Sequence, residues 1–193
     1  MVENGTAARI ASAARAILVS EGAGAVSMRR VAAAVGITPM AIYTHYPSRD
    51  ALLRAVADAA FAELAGKWAK GPVSGDWEAG VFGLLEDFLD FALGDPHLYT
   101  FLFTEMWEQG RRFPEDFRDG GSPTFGQVVE AVERGMLQGL LKRDDALEVA
   151  LSLTGHTQRL VQLYLGGRID LPERDFRALC ARATGRILNG LKA

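Results

Sequence analysis

The segment at residues 27–49 constrains the fold most, because its helix start and stop signals follow one another at short spacing. Ser27 is a favourable N-cap, and Gly36 is a typical C-terminal stop for a first short helix. Thr38 can cap a second helix, and Pro39 suits its first position, where a missing N–H costs nothing. The pattern therefore predicts two short helices joined by a tight turn.

The second of these helices, predicted at about 39–46, has an outward face that is small and lightly charged. A solvated helix would carry more charge on such a face. Small and apolar groups can instead contact thymine methyls in a DNA major groove, and hydroxyls can contact phosphates. We therefore interpret the segment as a DNA-binding helix-turn-helix. The outward face and its rim consist of Met40, Ala41, Tyr43, Thr44 and His45.

This region resembles the helix-turn-helix of the TetR/AcrR family of bacterial transcriptional regulators. The resemblance begins in a helix predicted at about 7–22 and continues to Leu53. Its most specific part is the Tyr-x-His-Tyr-Pro-Ser-Arg sequence at residues 43–49. It covers the N-terminal part of the chain, and beyond it the family diverges widely. The resemblance there implies the architecture more than the ligand.

The resemblance implies two kinds of DNA contact. Residues at the positions of Tyr43, His45 and Arg49 contact the phosphate backbone, and those at Arg29, Met40 and Ala41 approach bases. Arg29 is long enough for a bidentate contact to guanine, although it is also compatible with a solvated arginine. The complete predicted DNA-binding set is Ser27, Arg29, Thr38, Pro39, Met40, Ala41, Tyr43, Thr44, His45 and Arg49.

Charge is distributed unevenly along the chain. Residues 1–70 contain eight Lys/Arg and five Asp/Glu, a net charge of +3, whereas the remaining 123 residues have a net charge of −6. The asymmetry is modest, but it favours phosphate attraction near the N-terminus. We expect a DNA-binding domain at 1–48 and a helical effector-binding and dimerisation domain at 49–193.

Several functional classes are disfavoured by the sequence. It has no apolar run of transmembrane length and no secretory signal, and Cys180 as its single cysteine fits a reducing compartment. We therefore expect a cytoplasmic protein without a membrane partner. No glycine-rich phosphate loop or nucleophile elbow is visible, and the three histidines are far apart. We expect no catalytic site, no cofactor and no metal.

The hydrophobic pattern predicts an all-α protein, because no run alternates convincingly with a period of two. A helix from Ser48 to about 70 is expected to link the DNA-binding head mechanically to the rest. Residues 109–123 are expected to form a loop with one short helical turn. The remaining helices are predicted at about 76–94, from 96 onward, and at about 124–141, 144–166 and 173–191.

An aromatic-rich set lies on the helices predicted from 76 to about 108. Aromatic residues at helical spacing are usually core, but in the family this region commonly lines an effector pocket. His156 is interpreted either as a buried, hydrogen-bonded histidine or as a polar anchor in such a pocket. The candidate effector-binding residues are Phe88, Phe91, Phe103, Met106, Trp107 and His156.

The last two helices are predicted to form a homodimer interface. The helix at 144–166 is apolar nearly all round and must be covered on more than one side. The helix at 173–191 has an apolar stripe with small residues beside it. Two such helices from each subunit would form a symmetric four-helix interface, whereas the alternative is packing within one subunit. The candidate interface residues are Leu160, Leu163, Tyr164, Phe176, Leu179, Ala183 and Ile187.

These features predict a DNA-binding transcriptional regulator. The favoured form is a repressor that a small, largely apolar effector releases from a near-palindromic double-stranded DNA operator. The alternative is a helical small-molecule-binding or enzymatic protein that does not bind DNA. An activator or an effector-independent regulator is also compatible with the sequence.

Overall fold

The computed structural model describes residues 3–68, 76–104, 112–118 and 122–193. This part of the chain is helical and contains no strand, apart from an isolated β-bridge between Leu141 and Lys192. The prediction of an all-α fold is confirmed. The helices are α1 (Glu3–Glu21), α2 (Met28–Val35), α3 (Pro39–Tyr43), α4 (Arg49–Trp68), α5 (Trp77–Gly94), α6 (Pro96–Phe103), α7 (Glu115–Arg118), α8 (Pro123–Leu137), α9 (Ala146–Leu165) and α10 (Glu173–Leu191).

A search of these described helices finds none with the length and apolar character needed to cross a membrane.

The chain divides into two compact units. The first, here called the head unit, comprises Met1–Phe61 and Asp95–Glu105. The second, the body unit, comprises Ala62–Gly94 and Met106–Ala193. The sequence expectation instead placed α6 and all of α4 in the C-terminal domain, since it followed chain order. In the structure α6 packs against α1 and so belongs to the head unit.

The head unit has a continuous apolar core. Tyr99 of α6 is 1% exposed, and its ring stacks on Phe103 with 5.5 Å between centroids. Phe103 meets Phe61 of α4 edge-on at 5.6 Å. Burial raises the pKa of the Tyr99 hydroxyl well above its usual value. Fully buried aliphatic side chains from the other helices complete this core: Ile10, Leu18, Val31, Ile42 and Leu52.

Local signals explain the short helices of the head. The Ser27 side chain accepts a hydrogen bond from the Arg30 N–H at 3.2 Å and caps α2. Gly36 ends α2 in the left-handed region with φ of 77°, where its amide binds the Ala32 carbonyl. The Thr38 hydroxyl accepts from the Ala41 amide at 3.3 Å and caps α3. The predicted caps and the turn between the helices are therefore confirmed.

The helix α3 is shorter than predicted, because it ends at Tyr43 rather than near 46. The Thr44 hydroxyl donates to the Ala41 carbonyl at 2.7 Å, and the His45 amide donates to the Ile42 carbonyl at 2.9 Å. These shorter-range bonds tighten the end of α3, where the Tyr46 amide also donates to the Ile42 carbonyl at 2.9 Å.

The body unit is built around a core shared by α5, α8, α9 and α10. Trp77 at the start of α5 donates its indole N–H to the Ala131 carbonyl of α8 at 2.6 Å. Its ring lies so close to Gly135 that an added Cβ would be 2.7 Å from it. A glycine is therefore required there by the neighbouring ring. Buried members of the core include Val81, Phe125, Val132, Leu153 and Leu188.

Polar contacts also join body helices. Arg177 of α10 contacts Asp90 of α5 at 2.7 Å and Glu86 at 3.0 Å. The Gln127 amide of α8 donates to the Ala65 carbonyl at 2.8 Å, in the last turn of the described part of α4. These bonds supplement the apolar packing at the edges of the core.

Candidate nucleic-acid interface

The helix α3 combines one buried anchor with an exposed outward face. Ile42 is 0% exposed and fixes the helix on the head core. Met40 and Tyr43 are 76% and 48% exposed, which is unusual for side chains of this size. Thr44 is also exposed, while Ala41 and His45 are half-buried. The structure thus places Met40, Tyr43 and Thr44 at the surface, with Ala41 and His45 partly exposed beside them.

The two capping hydroxyls stand at the starts of α2 and α3. Ser27 and Thr38 are exposed, and each oxygen accepts a backbone N–H bond. Each hydroxyl therefore keeps its own proton to donate, for example to a phosphate oxygen. Pro39, also exposed, begins α3 directly after the Thr38 cap.

Two adjacent arginines on α2 have different environments. The Arg30 guanidinium forms a two-point ion pair with Glu21 of α1, with one N–O distance of 2.8 Å. This hydrogen bond lowers the pKa of the Glu21 carboxyl and raises the pKa of Arg30. Arg29 is exposed and makes no hydrogen bond or ion pair within the described part of the chain. Of the two, Arg29 is the guanidinium that remains available to an external acceptor.

Arg49 makes internal contacts that the sequence did not indicate. Its Nε donates to the Val26 carbonyl at 2.8 Å, and its Nη2 donates to the Ala23 carbonyl at 2.6 Å. The remaining Nη1 lies 3.7 Å from the Asp50 carboxylate. From the sequence, this arginine was expected to be a cation presented to DNA. The sequence does not indicate its internal hydrogen bonds, because their partners are 23 and 26 residues away. Only tertiary structure brings them within reach.

Two other long side chains in the head also end on backbone carbonyls. Arg9 donates to the Val35 carbonyl at the end of α2 at 2.9 Å, and the Tyr46 hydroxyl donates to the Ala7 carbonyl at 3.2 Å. Sequence analysis missed both bonds, since no local pattern relates residues so far apart. They connect α1 to the end of α2 and to the chain just after α3.

The candidate effector residues are divided between the two units. Phe103 packs in the head unit, whereas Phe91 is buried in the body unit and Phe88 meets Trp68 edge-on at 6.4 Å. Met106 and Trp107 lie outside the described residues. The interpretation of His156 as a buried histidine is not met within one subunit, because its side chain is exposed at the flank of the α9 stripe that packs in the core.

The candidate dimer residues fall into two groups. Phe176 is 0% exposed and stacks on Tyr164 of the same subunit, with 4.0 Å between ring centroids. Ala183 is buried on the same side of α10. Both side chains therefore pack within their own subunit, and a partner contact by these two residues stays a prediction. The other candidates are half-buried and keep part of their surface exposed: Leu160, Leu163, Tyr164, Leu179 and Ile187.

A short capped helix with an exposed face, and an exposed arginine that has no internal partner among the described residues, are typical of a helix-turn-helix DNA-binding protein. The sequence matches the family model for bacterial regulatory proteins of the TetR family over residues 10–56. It also matches the model for a tetracycline-repressor-like C-terminal domain over residues 81–187. The chain therefore belongs to the TetR family, and it is a DNA-binding transcriptional regulator. The family prediction and the functional prediction are confirmed.

Solved structures with the same fold share little sequence with this chain. A protein of unknown function from Rhodococcus sp. RHA1 has a TM-score of 0.79 and 20% identity, covering 97% of this chain and 96% of that one. A TetR-family regulator from Pectobacterium atrosepticum has a TM-score of 0.73 and 20% identity, with coverages of 98% and 95%. The regulator FadR from Bacillus subtilis, solved with stearoyl-CoA, has a TM-score of 0.75 and 12% identity, with coverages of 95% and 98%. A search of curated proteins gave no match.

Proposed function

We propose that this regulator is a repressor that binds a near-palindromic operator as a homodimer and that a small, largely apolar effector releases it. The observation that carries the proposal is the exposed face of α3, where Met40 is 76% exposed and Tyr43 is 48% exposed. An apolar side chain exposed to this extent gains most from a surface that supplies apolar contacts, such as thymine methyls in the major groove. Gene regulation, rather than catalysis, is the activity we assign.

The proposed DNA contacts fall into base and backbone contacts. Arg29, Met40 and Ala41 would approach base edges, with Arg29 suited to guanine. The hydroxyl and imidazole groups around them would contact phosphates and fix the register. The proposed backbone-contacting set, with the helix-starting proline, is Ser27, Thr38, Pro39, Tyr43, Thr44 and His45.

Dimerisation would place two α3 helices on one symmetric particle, which matches an inverted-repeat operator. The half-buried residues of α9 and α10 support this proposal, since Leu163 and Ile187 retain apolar surface that a second copy would cover. Replacing Leu163 with Glu should then yield monomers that lose operator affinity. Light scattering that finds the wild-type protein monomeric at micromolar concentration would contradict the dimer.

DNA selected from a random pool gives the most direct test of the operator. The expected product is an inverted repeat, and fluorescence anisotropy should show tighter binding to it than to a scrambled duplex. Arg29→Ala should relax preference at one base pair by roughly 1–3 kcal/mol if the guanine contact is bidentate. Tyr43→Ala should weaken binding to every sequence. Equal affinities of wild type and Tyr43→Ala would contradict the assignment of α3.

The effector is proposed to be apolar because Phe88 and Phe91 contribute aromatic surface to the body unit. FadR, which shares the fold, was solved with stearoyl-CoA, so long-chain acyl compounds are the first class to test. The assay adds stearoyl-CoA, free stearate and coenzyme A separately to the protein–operator complex. Release by stearoyl-CoA and stearate but not by coenzyme A would support an apolar effector. The absence of release and of any thermal shift across a broad apolar library would contradict it.

A further inference from the structure

The start of α4 is joined to the segment before α2 by a single side chain. Arg49 is the first residue of α4, and the carbonyls that it binds belong to Ala23 and Val26. Ala23 begins the short 3-10 turn after α1, and Val26 directly precedes the Ser27 cap of α2. The guanidinium therefore closes a loop of chain that contains α2, the turn and α3.

The geometry of the guanidinium suits this position. Its N–H groups lie in one plane in a fixed fork, so that a single side chain can satisfy two carbonyls at once. Val26 is 1% exposed, so water has little access to replace a lost donor there. An ammonium group on a lysine is a point donor and could reach one of the two carbonyls well, but not both.

The same geometry disfavours a primary phosphate contact. Two of the three guanidinium nitrogens point at backbone carbonyls, and the third lies 3.7 Å from the Asp50 carboxylate, whose side chain is 90% exposed. A phosphate approaching that nitrogen would also approach a carboxylate of the same sign. Arg29, in contrast, is exposed and has no internal partner among the described residues.

We propose that Arg49 is a positioning residue for DNA recognition: it fixes α3 by tying the first turn of α4 to the entry of α2, and it is not a phosphate ligand. The proposal extends the DNA-binding function of the chain and replaces the backbone-contacting role expected for this position. Its consequence is that Arg49 acts on the choice of sequence more than on the electrostatic attraction common to all DNA.

Two variants separate the charge of Arg49 from its hydrogen bonds. Arg49→Lys keeps the charge and loses the fork, whereas Arg49→Gln loses the charge and keeps a planar donor for one carbonyl. Tyr46→Phe is the matched control, since it removes another side-chain-to-backbone bond of the head. Anisotropy is measured for the selected operator and for a scrambled duplex at several salt concentrations. The wild-type protein must first bind the selected operator more tightly than the scrambled duplex. If it does not, the result contradicts the proposed operator binding and not the role of Arg49.

The positioning role predicts that Arg49→Lys and Arg49→Gln both lower the ratio of operator to scrambled-DNA affinity, by about tenfold. The slope of log affinity against log salt on scrambled DNA should stay at the wild-type value for Arg49→Gln. Hydrogen exchange of the peptide covering α3 should be faster in both variants than in Tyr46→Phe. This exchange measurement needs no DNA, so it also tests the proposal if one variant binds poorly.

Two results would overturn the proposal. If Arg49→Gln lowers the salt slope by about one unit while Arg49→Lys binds like wild type, Arg49 is a phosphate ligand. If both variants keep the wild-type affinity ratio and exchange pattern, and lose only as much thermal stability as Tyr46→Phe, the bonds contribute to stability alone.

Discussion

The head and body units are both helical, but different interactions define them. In the head, helices as short as α3 are delimited by the Ser27 and Thr38 caps and by the left-handed Gly36. Arg9, Tyr46 and Arg49 then join these helices through backbone carbonyls. In the body, longer helices share an apolar core, and polar contacts such as those of Trp77 and Arg177 supplement it. A DNA-reading surface therefore depends on directional bonds that fix its geometry, whereas an apolar core tolerates wide variation in sequence.

The largest expected effect concerns the body core. Phe176→Ala should lower the free energy of unfolding by roughly 3–5 kcal/mol, because the ring is fully buried and stacks on Tyr164. Urea denaturation at fixed protein concentration measures it. Leu137→Ala in α8 is the control, and its loss should be smaller because Leu137 is 82% exposed. If the Phe176→Ala protein has normal stability but dimerises more weakly, Phe176 contributes to the dimer interface.

The second prediction tests how closely the body helices must approach. Gly135→Ala should cost roughly 1–3 kcal/mol, since the new Cβ would lie 2.7 Å from the Trp77 ring. Gly155→Ala is the control, because nothing lies within 4 Å of its added Cβ. Thermal unfolding followed by circular dichroism should show a lower midpoint for the first variant and no loss for the second. Equal midpoints would mean that Trp77 moves aside at little cost.

The third prediction concerns the local signals of the head. Ser27→Ala should lower stability by about 1 kcal/mol, because the first turn of α2 loses its cap. Ser12→Ala, at an exposed position within α1, should be neutral or slightly stabilising. Chemical denaturation measures the stability of both variants, and hydrogen exchange of native protein measures the local opening of α2. Equal stability of the two variants would show that the Ser27 cap does not stabilise α2.

The smallest effect is a pH dependence in the body. Burial, with a smaller contribution from Glu86, raises the pKa of the Cys180 thiol to about 11. The unfolded thiol ionises near its usual pKa of about 8.5, so the folded state loses relative stability as pH rises from about 8.5 towards 11. At pH 9 the loss is under about 1 kcal/mol. The stability difference between wild type and Cys180→Ala should shift by this amount between pH 7 and 9. If the stability difference between the two proteins is the same at pH 7 and pH 9, the raised pKa of Cys180 is contradicted.

Much of the fold could be predicted from the sequence, because local chemistry determines it. The start of α2 at a serine cap, its end at Gly36 and the proline at the start of α3 depend on neighbours within a few residues. The long helices follow from apolar periodicity in the same way. The segment at residues 43–49 was specific enough to indicate the family, which the match over residues 10–56 confirms.

Other features were decided by tertiary structure alone. The membership of α6 in the head, the burial of Phe176 and the exposure of His156 depend on which helices pack together. An apolar stripe shows that a helix face must be covered, but it does not show whether the cover comes from the same subunit. Likewise, the sequence determines that Arg49 is a cation, but only the fold brings two carbonyls from more than 20 residues away within reach of its guanidinium. Hydrogen bonds act over about 3 Å, so their partners are set by the final packing of the chain.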